Sequence, residues 1–251
     1  MKYLTFLGVL MIAILSLSVQ GESKRVILAY GNYAPYYGKE MEDKGPLSEI
    51  VVKAFAESGY QTKLVNIPVW KRQLTEVEKG NYDGLFSLWY RKEREQWFLF
   101  SDTLPIPPST LGFYKHKDSD YSFESYGDLI GLRIGVVRGY SYPHEFNEKH
   151  FILDEAVRVE HNIAKLLKKR IDLALIDKNV GMEILTKEHP DHVNELEWIE
   201  PPVGFINQHL AISKKTKHAQ QKVDAFNAGL KSLYEKGEVS KILKKFGLSD
   251  N

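Results

Sequence analysis

Two stretches of this chain repeat one design: a short amphipathic helix, a turn of two or three residues, an aspartate and an apolar strand. The copies are LTEVEKGNYDGLF (Leu74 to Phe86) and IAKLLKKRIDLALID (Ile163 to Asp177), about ninety residues apart. Each reads as one helix-to-strand piece of an α/β sheet. Two related lobes facing each other across a cleft explain that spacing better than one continuous sheet. An exported chain with two such lobes points to a ligand trap.

Export is read from the first 21 residues. Lys2 gives a positive start, Leu4 to Val19 is almost unbroken apolar sequence, and Val19 and Gly21 supply the small side chains of a cleavage site. The apolar run is shorter than the roughly 20 residues that span a bilayer comfortably, so a signal peptide of residues 1–21 and a periplasmic location are expected. The chain has no cysteine. That excludes a diacylated lipoprotein and a disulfide scaffold, and the core must carry stability alone. Lys2 is the only charge in the leader, so its removal takes the formal balance from +1 to 0. No concentrated basic face is left for nucleic acid; the lysines of Lys165 to Arg170 oppose the negative end of their own helix.

The pattern alternates along the chain. RVILAY (Arg25 to Tyr30) is a strand, Pro46 opens a helix through Ser58, Gln61 to Ile67 is a strand, Val69 to Lys79 a helix and Asp83 to Leu88 a strand. Phe98 to Ser101 and the prolines at 105, 107 and 108 break the alternation, and Thr110 to Lys115 is extended. The second unit has strands at Leu132 to Val137, Val157 to Val159 and Ile171 to Ile176, a helix start at Ser141 to Lys149, and helices at His161 to Arg170 and up to Leu185. Gln208 to Ser213 is extended again, and helices at Ala219 to Glu235 and Val239 to Phe246 end the chain. Those two helices have no strand of their own. They make sense if the chain crosses to lobe two near Lys115, returns near Phe205, and packs its end on lobe one.

Parallel α/β sheets bind ligands beyond the C-terminal ends of their strands. The loop after the first strand holds Tyr30, Tyr33, Tyr36 and Tyr37; Trp70 starts the second helix; SLWYRKER (Ser87 to Arg94) and GYSY (Gly139 to Tyr142) follow strands. Ser87, Trp89, Tyr140 and Ser141 thereby become candidate contacts. Arg94 is the sharpest, since a guanidinium pairs bidentately with a carboxylate, although it also lies in a run of alternating charge that would suit a solvated helix. Asp177 lies just past an apolar strand, where it either caps the next helix near Asn179 or accepts an ammonium. The sequence holds no cysteine nucleophile, G-x-S-x-G elbow, H-E-x-x-H pair or Gly-rich phosphate loop. Its histidines lack metal-ligand spacing, so neither cofactor nor metal is expected.

Taken in order, these segments resemble the family 3 solute-binding proteins, the periplasmic receptors of polar amino-acid ABC transporters, over Lys24 to Asn251. NYAPY (Asn32 to Tyr36) is similar to the family's aromatic–x–Pro–aromatic loop and NYDGLF to its G-x-x-D-A strand. KEREQWFLFSD (Lys92 to Asp102) is similar to its ER-x-x-x-x-x-F-S-x-P stretch, LIGLRIGVVRG (Leu129 to Gly139) to its opening of the second lobe, and GEVSKILKKFG (Gly237 to Gly247) to its ending. The resemblance implies stacking of ligand on Tyr33 and Trp70, a carboxylate grip at Arg94 and an ammonium partner at Asp177. It implies a type II periplasmic-binding-protein-like α/β fold, with a mixed, mostly parallel sheet in each lobe, a two-strand hinge and the cleft between lobes. Lobe one would be 24–114 plus 205–251 and lobe two 115–204. The implied function is non-catalytic binding of an amino acid or related carboxylate by a monomer serving an inner-membrane ABC permease. A periplasmic cyclohexadienyl-type dehydratase and a sensory protein partnering a membrane histidine kinase are the alternatives.

The chain also departs from the family pattern. Tyr140 stands where Ser or Thr is usual, Trp89 and Tyr90 stand where small residues expose backbone, and Thr103 replaces a proline. A pocket reshaped or narrowed by aromatics follows, open to a charged amino acid or to an aromatic or unusual small solute.

Overall fold

The structure, a computed structural model, describes residues 24–147 and 151–248; the leader expected at 1–21 lies outside the described residues. The chain runs β1 (Lys24–Tyr30), α1 (Pro46–Glu57), β2 (Tyr60–Asn66), α2 (Trp70–Glu78), β3 (Gly84–Trp89), β4 (Phe98–Thr103), β5 (Ser109–His116) and β6 (Arg133–Val137). It continues through β7 (Ile152–Ala156), α3 (Val159–Leu167), β8 (Leu173–Asp177), α4 (Lys178–Glu188), β9 (Leu196–Trp198), β10 (Gly204–Ile206), β11 (Gln208–Ser213), α5 (Ala219–Glu235) and α6 (Glu238–Lys245).

Two sheets form, in the order β2-β1-β3-β11-β4 and β10-β5-β8-β6-β7, with β9 also against β5. Parallel pairing is confined to β2-β1-β3 and to β7-β6-β8; the other neighbours are antiparallel. Those two triplets are the repeat seen in the sequence. In each, a first strand sits centrally, the second strand lies on one side, and the helix–turn–Asp–strand unit supplies the other. The aspartates do the same job in both copies. Asp83 donates its amide to Ile27 O at 2.8 Å and accepts the Ile27 amide on Oδ2 at 2.7 Å. Asp172 donates to Arg133 O at 2.8 Å and accepts the Arg133 amide on Oδ2 at 2.7 Å. Each satisfies backbone groups of the central strand that no neighbouring strand reaches.

β5 pairs with β8, β9 and β10, so Ser109–His116 belongs wholly to the second sheet. The chain therefore changes sheet at 104–108, not at Lys115, and returns at Asn207, between β10 and β11. The proline cluster at 105, 107 and 108 explains the shift, because proline lacks the amide that a sheet ladder needs. The expected strand at Val157 to Val159 is likewise displaced. β7 matches the five residues of β6 in parallel register, Arg133 to Val137 against Ile152 to Ala156. Val159 instead opens α3, with its side chain buried. At Ser141 to Lys149 the described residues form one short 3-10 turn, His144–Asn147.

α1 begins with Pro46, whose missing amide costs nothing at a first helical position. It buries Leu47, Ile50, Val51, Ala54 and Phe55 along one stripe. α5 packs on that stripe, with the Phe55 and Phe226 rings 5.4 Å apart, so the end of the chain does return to lobe one. The crossing is close at Gly229, where an added Cβ would lie 1.8 Å from Ala54 O. Gly229→Ala is expected to lower stability by about 1–3 kcal/mol, the usual cost of overpacking, visible as an earlier urea midpoint.

Candidate ligand-binding site

At its C-terminal end β3 bulges. Ser87 has φ +66, and the ladder with β11 shifts register between His209 and Ala211. A bulge re-aims the side chain it carries. Ser87 Oγ donates to Gln208 Oε1, Gln208 Nε2 donates to Ser109 Oγ at 3.0 Å, and Ser109 Oγ lies 3.5 Å from Tyr33 Oη. Gln208 and Ser109 are the first residues of β11 and β5, so this buried polar chain crosses between the lobes at the two-segment hinge.

Past Trp89 the chain tightens into a 3-10 helix, Lys92–Gln96, which folds Arg94 back underneath. Arg94 Nη1 donates to Trp89 O at 2.8 Å, and the residue is only 8% exposed. No carboxylate among the described residues pairs with it. Burial, and secondarily the charge of Arg91, lower its pKa to about 10, so it stays cationic at neutral pH. A buried guanidinium holding one backbone acceptor keeps donors to spare and carries a desolvation cost. An anion in the cleft would offset that cost with charge-assisted hydrogen bonds.

Lobe two closes over this surface. Trp70 Nε1 donates to Gly139 O at 3.0 Å, Arg91 Nη2 to Ser141 O at 3.3 Å, and Asn179 Nδ2 to Tyr36 Oη at 2.9 Å. The Tyr140 ring enters between Trp70 and Trp89, edge-on at 5.6 and 5.7 Å between centroids. The cleft is thereby divided. An inner chamber of about 20 Å³ is lined by Tyr33, Trp70, Ser87, Trp89, Arg94, Tyr140 and Ser141, together with Tyr37. An outer chamber of about 240 Å³ shares Tyr33, Tyr37, Trp70 and Tyr140 with it. Seven of the eight residues singled out from the sequence thus converge on one chamber.

Asp177 does not. It caps α4, with Oδ1 accepting the amides of Asn179 and Val180 at 3.0 Å each. It lines neither chamber. Ser109 and the Thr110 backbone also stabilise its carboxylate, and its charge reaches Tyr33, Tyr36, Tyr114 and Tyr140. Burial pushes its pKa up from 3.8 to about 6. Between those values the folded chain keeps a proton that the unfolded chain releases. Stability therefore falls as pH rises through that window and levels off above it. Asp177→Asn, which still caps a helix, is expected to remove a loss on the order of 2 kcal/mol between about pH 4 and 6, measured by urea unfolding across that range.

Among the residues absent from the sequence-based set are Gln73, in the wall of the outer chamber, and Arg91, Ser109 and Gln208, which join the lobes by hydrogen bonds around the cleft. Gln73 had a signal, because positions 70, 73, 74 and 77 share one helical face, and it is buried beside Leu74 and Val77. Ser109 and Gln208 had none, since each is one polar residue heading an apolar strand.

A model of the bacterial extracellular solute-binding proteins, family 3, matches residues 26–249. An arginine-binding periplasmic protein of Mannheimia haemolytica is 25% identical over 235 residues, 91% of this chain and 93% of the relative. Among solved structures, a histidine kinase sensor domain with similarity to periplasmic binding proteins superposes with a TM-score of 0.75. It is 18% identical, covering 91% of this chain and 98% of its own. An amino acid ABC transporter substrate-binding protein of Streptococcus pneumoniae bound to L-arginine gives 0.72 at 18% identity, covering 90% and 96%. The structural likenesses show the shared two-lobed α/β fold.

Proposed function

Because the chain belongs to the bacterial extracellular solute-binding proteins of family 3, we propose that it captures a small carboxylate-bearing solute, an amino acid or a related acid, for an inner-membrane ABC permease. It does so as a monomer in the periplasm after loss of its leader, and it binds without catalysis. The observation that supports this best is Arg94, a buried cation with no ion-pair partner among the described residues, lining a chamber between two lobes. In this reading Arg94 grips the ligand carboxylate, Tyr33 and Trp70 flank its apolar part, and the amides near Tyr140 and Ser141 add donors. Asp177, which lines neither chamber but whose charge reaches the cleft residues Tyr33 and Tyr140, supplies a longer-range counter-charge for an ammonium. Closure dries the chamber and strengthens each of these bonds. It also shifts the population toward the shape that a permease distinguishes from the open one.

Thermal-shift screening of refolded, ligand-stripped protein against amino acids and small organic acids tests the proposal. A true ligand at a hundred times its dissociation constant should add about 2.7 kcal/mol of apparent stability. A melting temperature indifferent to every carboxylate in the panel would rule the proposal out.

A further inference from the structure

Ser87 lines the inner chamber in a conformation that serine resists. Its φ of +66 lies in the left-handed region, where a residue other than glycine stays only if its surroundings hold it there. The holder is Gln208. It stands opposite Trp89 in the β3–β11 ladder, its carbonyl accepts the Leu104 amide at 2.8 Å, and its Oε1 accepts the Ser87 hydroxyl. Gln208 is 1% exposed and lines neither chamber. Whatever it does for a bound solute, it does through Ser87.

The other end of the same amide reaches lobe two. Gln208 Nε2 donates to Ser109 Oγ at 3.0 Å, and the buried Ser109 in turn stabilises the Asp177 carboxylate that caps α4. Ser109 follows the segment 104–108 at which the chain changes sheet, so it turns with lobe two, whereas Ser87 and Gln208 stay with lobe one. A hydrogen bond is lost beyond about 3.5 Å, so a small rotation at the hinge breaks this one. It forms at the setting where Trp70 Nε1, Arg91 Nη2 and Asn179 Nδ2 also reach across the cleft. Those three bonds are only partly buried, and water replaces each of them when the lobes part. The Gln208–Ser109 bond is buried at the hinge itself, where a donor and an acceptor left unpaired carry their full desolvation cost.

From this we infer that Gln208 is a positioning residue with two ends: it holds Ser87 at the chamber wall and latches that wall to lobe two through Ser109, biasing the cleft toward closure. The inference rests on the cleft closing, as in the function proposed above, and needs neither the Arg94 role nor the identity of the solute.

Spin-label distances test it. The chain has no cysteine, so Arg72→Cys combined with Arg138→Cys supplies the sole labelled pair. Both arginines are exposed and line one groove beside the cleft, Arg72 on α2 of lobe one and Arg138 just past β6 of lobe two, and neither lines a chamber. Pulsed dipolar measurements on refolded protein with no solute added should resolve a short and a long distance. Gln208→Met, and separately Ser109→Ala, should each lower the short-to-long ratio about fivefold, the shift worth one net hydrogen bond. The double variant should lower it little further, because both substitutions break the same bond. A merely structural glutamine would lower the urea midpoint and leave that ratio alone. Ser109→Ala removes only a hydroxyl, so it decides the matter if Gln208→Met fails to fold. A ratio unmoved in both variants, losses that multiply in the double variant, or a wild-type protein found only at the long distance overturns the inference. The thermal-shift panel fails independently. A panel without a hit, beside variants that open, removes the solute reading and leaves the latch standing; a hit beside an unmoved ratio does the reverse.

Discussion

Arg94→Ala should weaken binding of the solute found by thermal-shift screening by about 2–5 kcal/mol, the cost of truncating one partner of a buried charge pair. The mutation removes the cation and its whole fork of donors, and the ligand carboxylate would then be buried in a dried aromatic chamber with no counter-charge. Ligand-free stability should move far less. Arg94 makes one side-chain hydrogen bond, to Trp89 O, worth about 1 kcal/mol, and its removal also relieves a desolvated charge. Lost affinity with near-normal melting is thus the signature of a binding residue, whereas a structural arginine would lose both together. Arg94→Lys should fall between, because a lysine restores the charge but not the planar fork. Calorimetric affinity unchanged in Arg94→Ala would remove Arg94 from the site and leave its burial unexplained.

Much of the architecture was legible because it rests on local periodicity. The stripe of α1, the bounds of β11 and α5, and the paired helix–turn–Asp–strand units all show in residue spacing, and all recur in the structure. The crossing between sheets was harder to place. Ser109–His116 reads as extended in either sheet, and only its partners β8, β9 and β10 assign it to the second. The site divides the same way. Arg94, Trp70 and Tyr140 follow helix starts or strand ends, which are fixed by local pattern. The polar chain through Ser87, Gln208 and Ser109 joins residues far apart in the chain, and it depends on a bulge that no local pattern announces. Asp177 carried two readings, cap and ammonium partner. The geometry displays the cap, because an aspartate at the end of β8 is also the residue before α4.

Asp83→Ala should destabilise the protein by about 3–5 kcal/mol, the range for breaking a buried ion pair, while Asp172→Ala should cost only about 1–2 kcal/mol. The two aspartates clasp their central strands identically, so the difference must come from their cations. Asp83 Oδ1 meets Lys222 Nζ at 2.7 Å, with side chains 17% and 9% exposed, and also meets Thr216 Oγ1. Without Asp83, the Lys222 ammonium keeps only Lys217 O at 2.9 Å and Thr216 Oγ1 at 3.1 Å, both neutral, and little water. Arg133, the partner of Asp172, is 48% exposed and can turn to solvent. Urea unfolding of both single mutants decides the order, and a loss in Asp83→Ala no larger than in Asp172→Ala would contradict it. Asp83→Ala combined with Lys222→Met should recover most of the deficit, since replacing both members of a buried pair with apolar groups is often near neutral. Ligand affinity at 25 °C should be unchanged in all three variants. Asp83 precedes β3 and clasps β1 at Ile27, whereas the cleft takes its residues from beyond Tyr30 and from the far end of β3 at Ser87 and Trp89. A change of affinity that tracks the stability loss would instead mean that the clasp holds the cleft in register from the opposite end of the sheet.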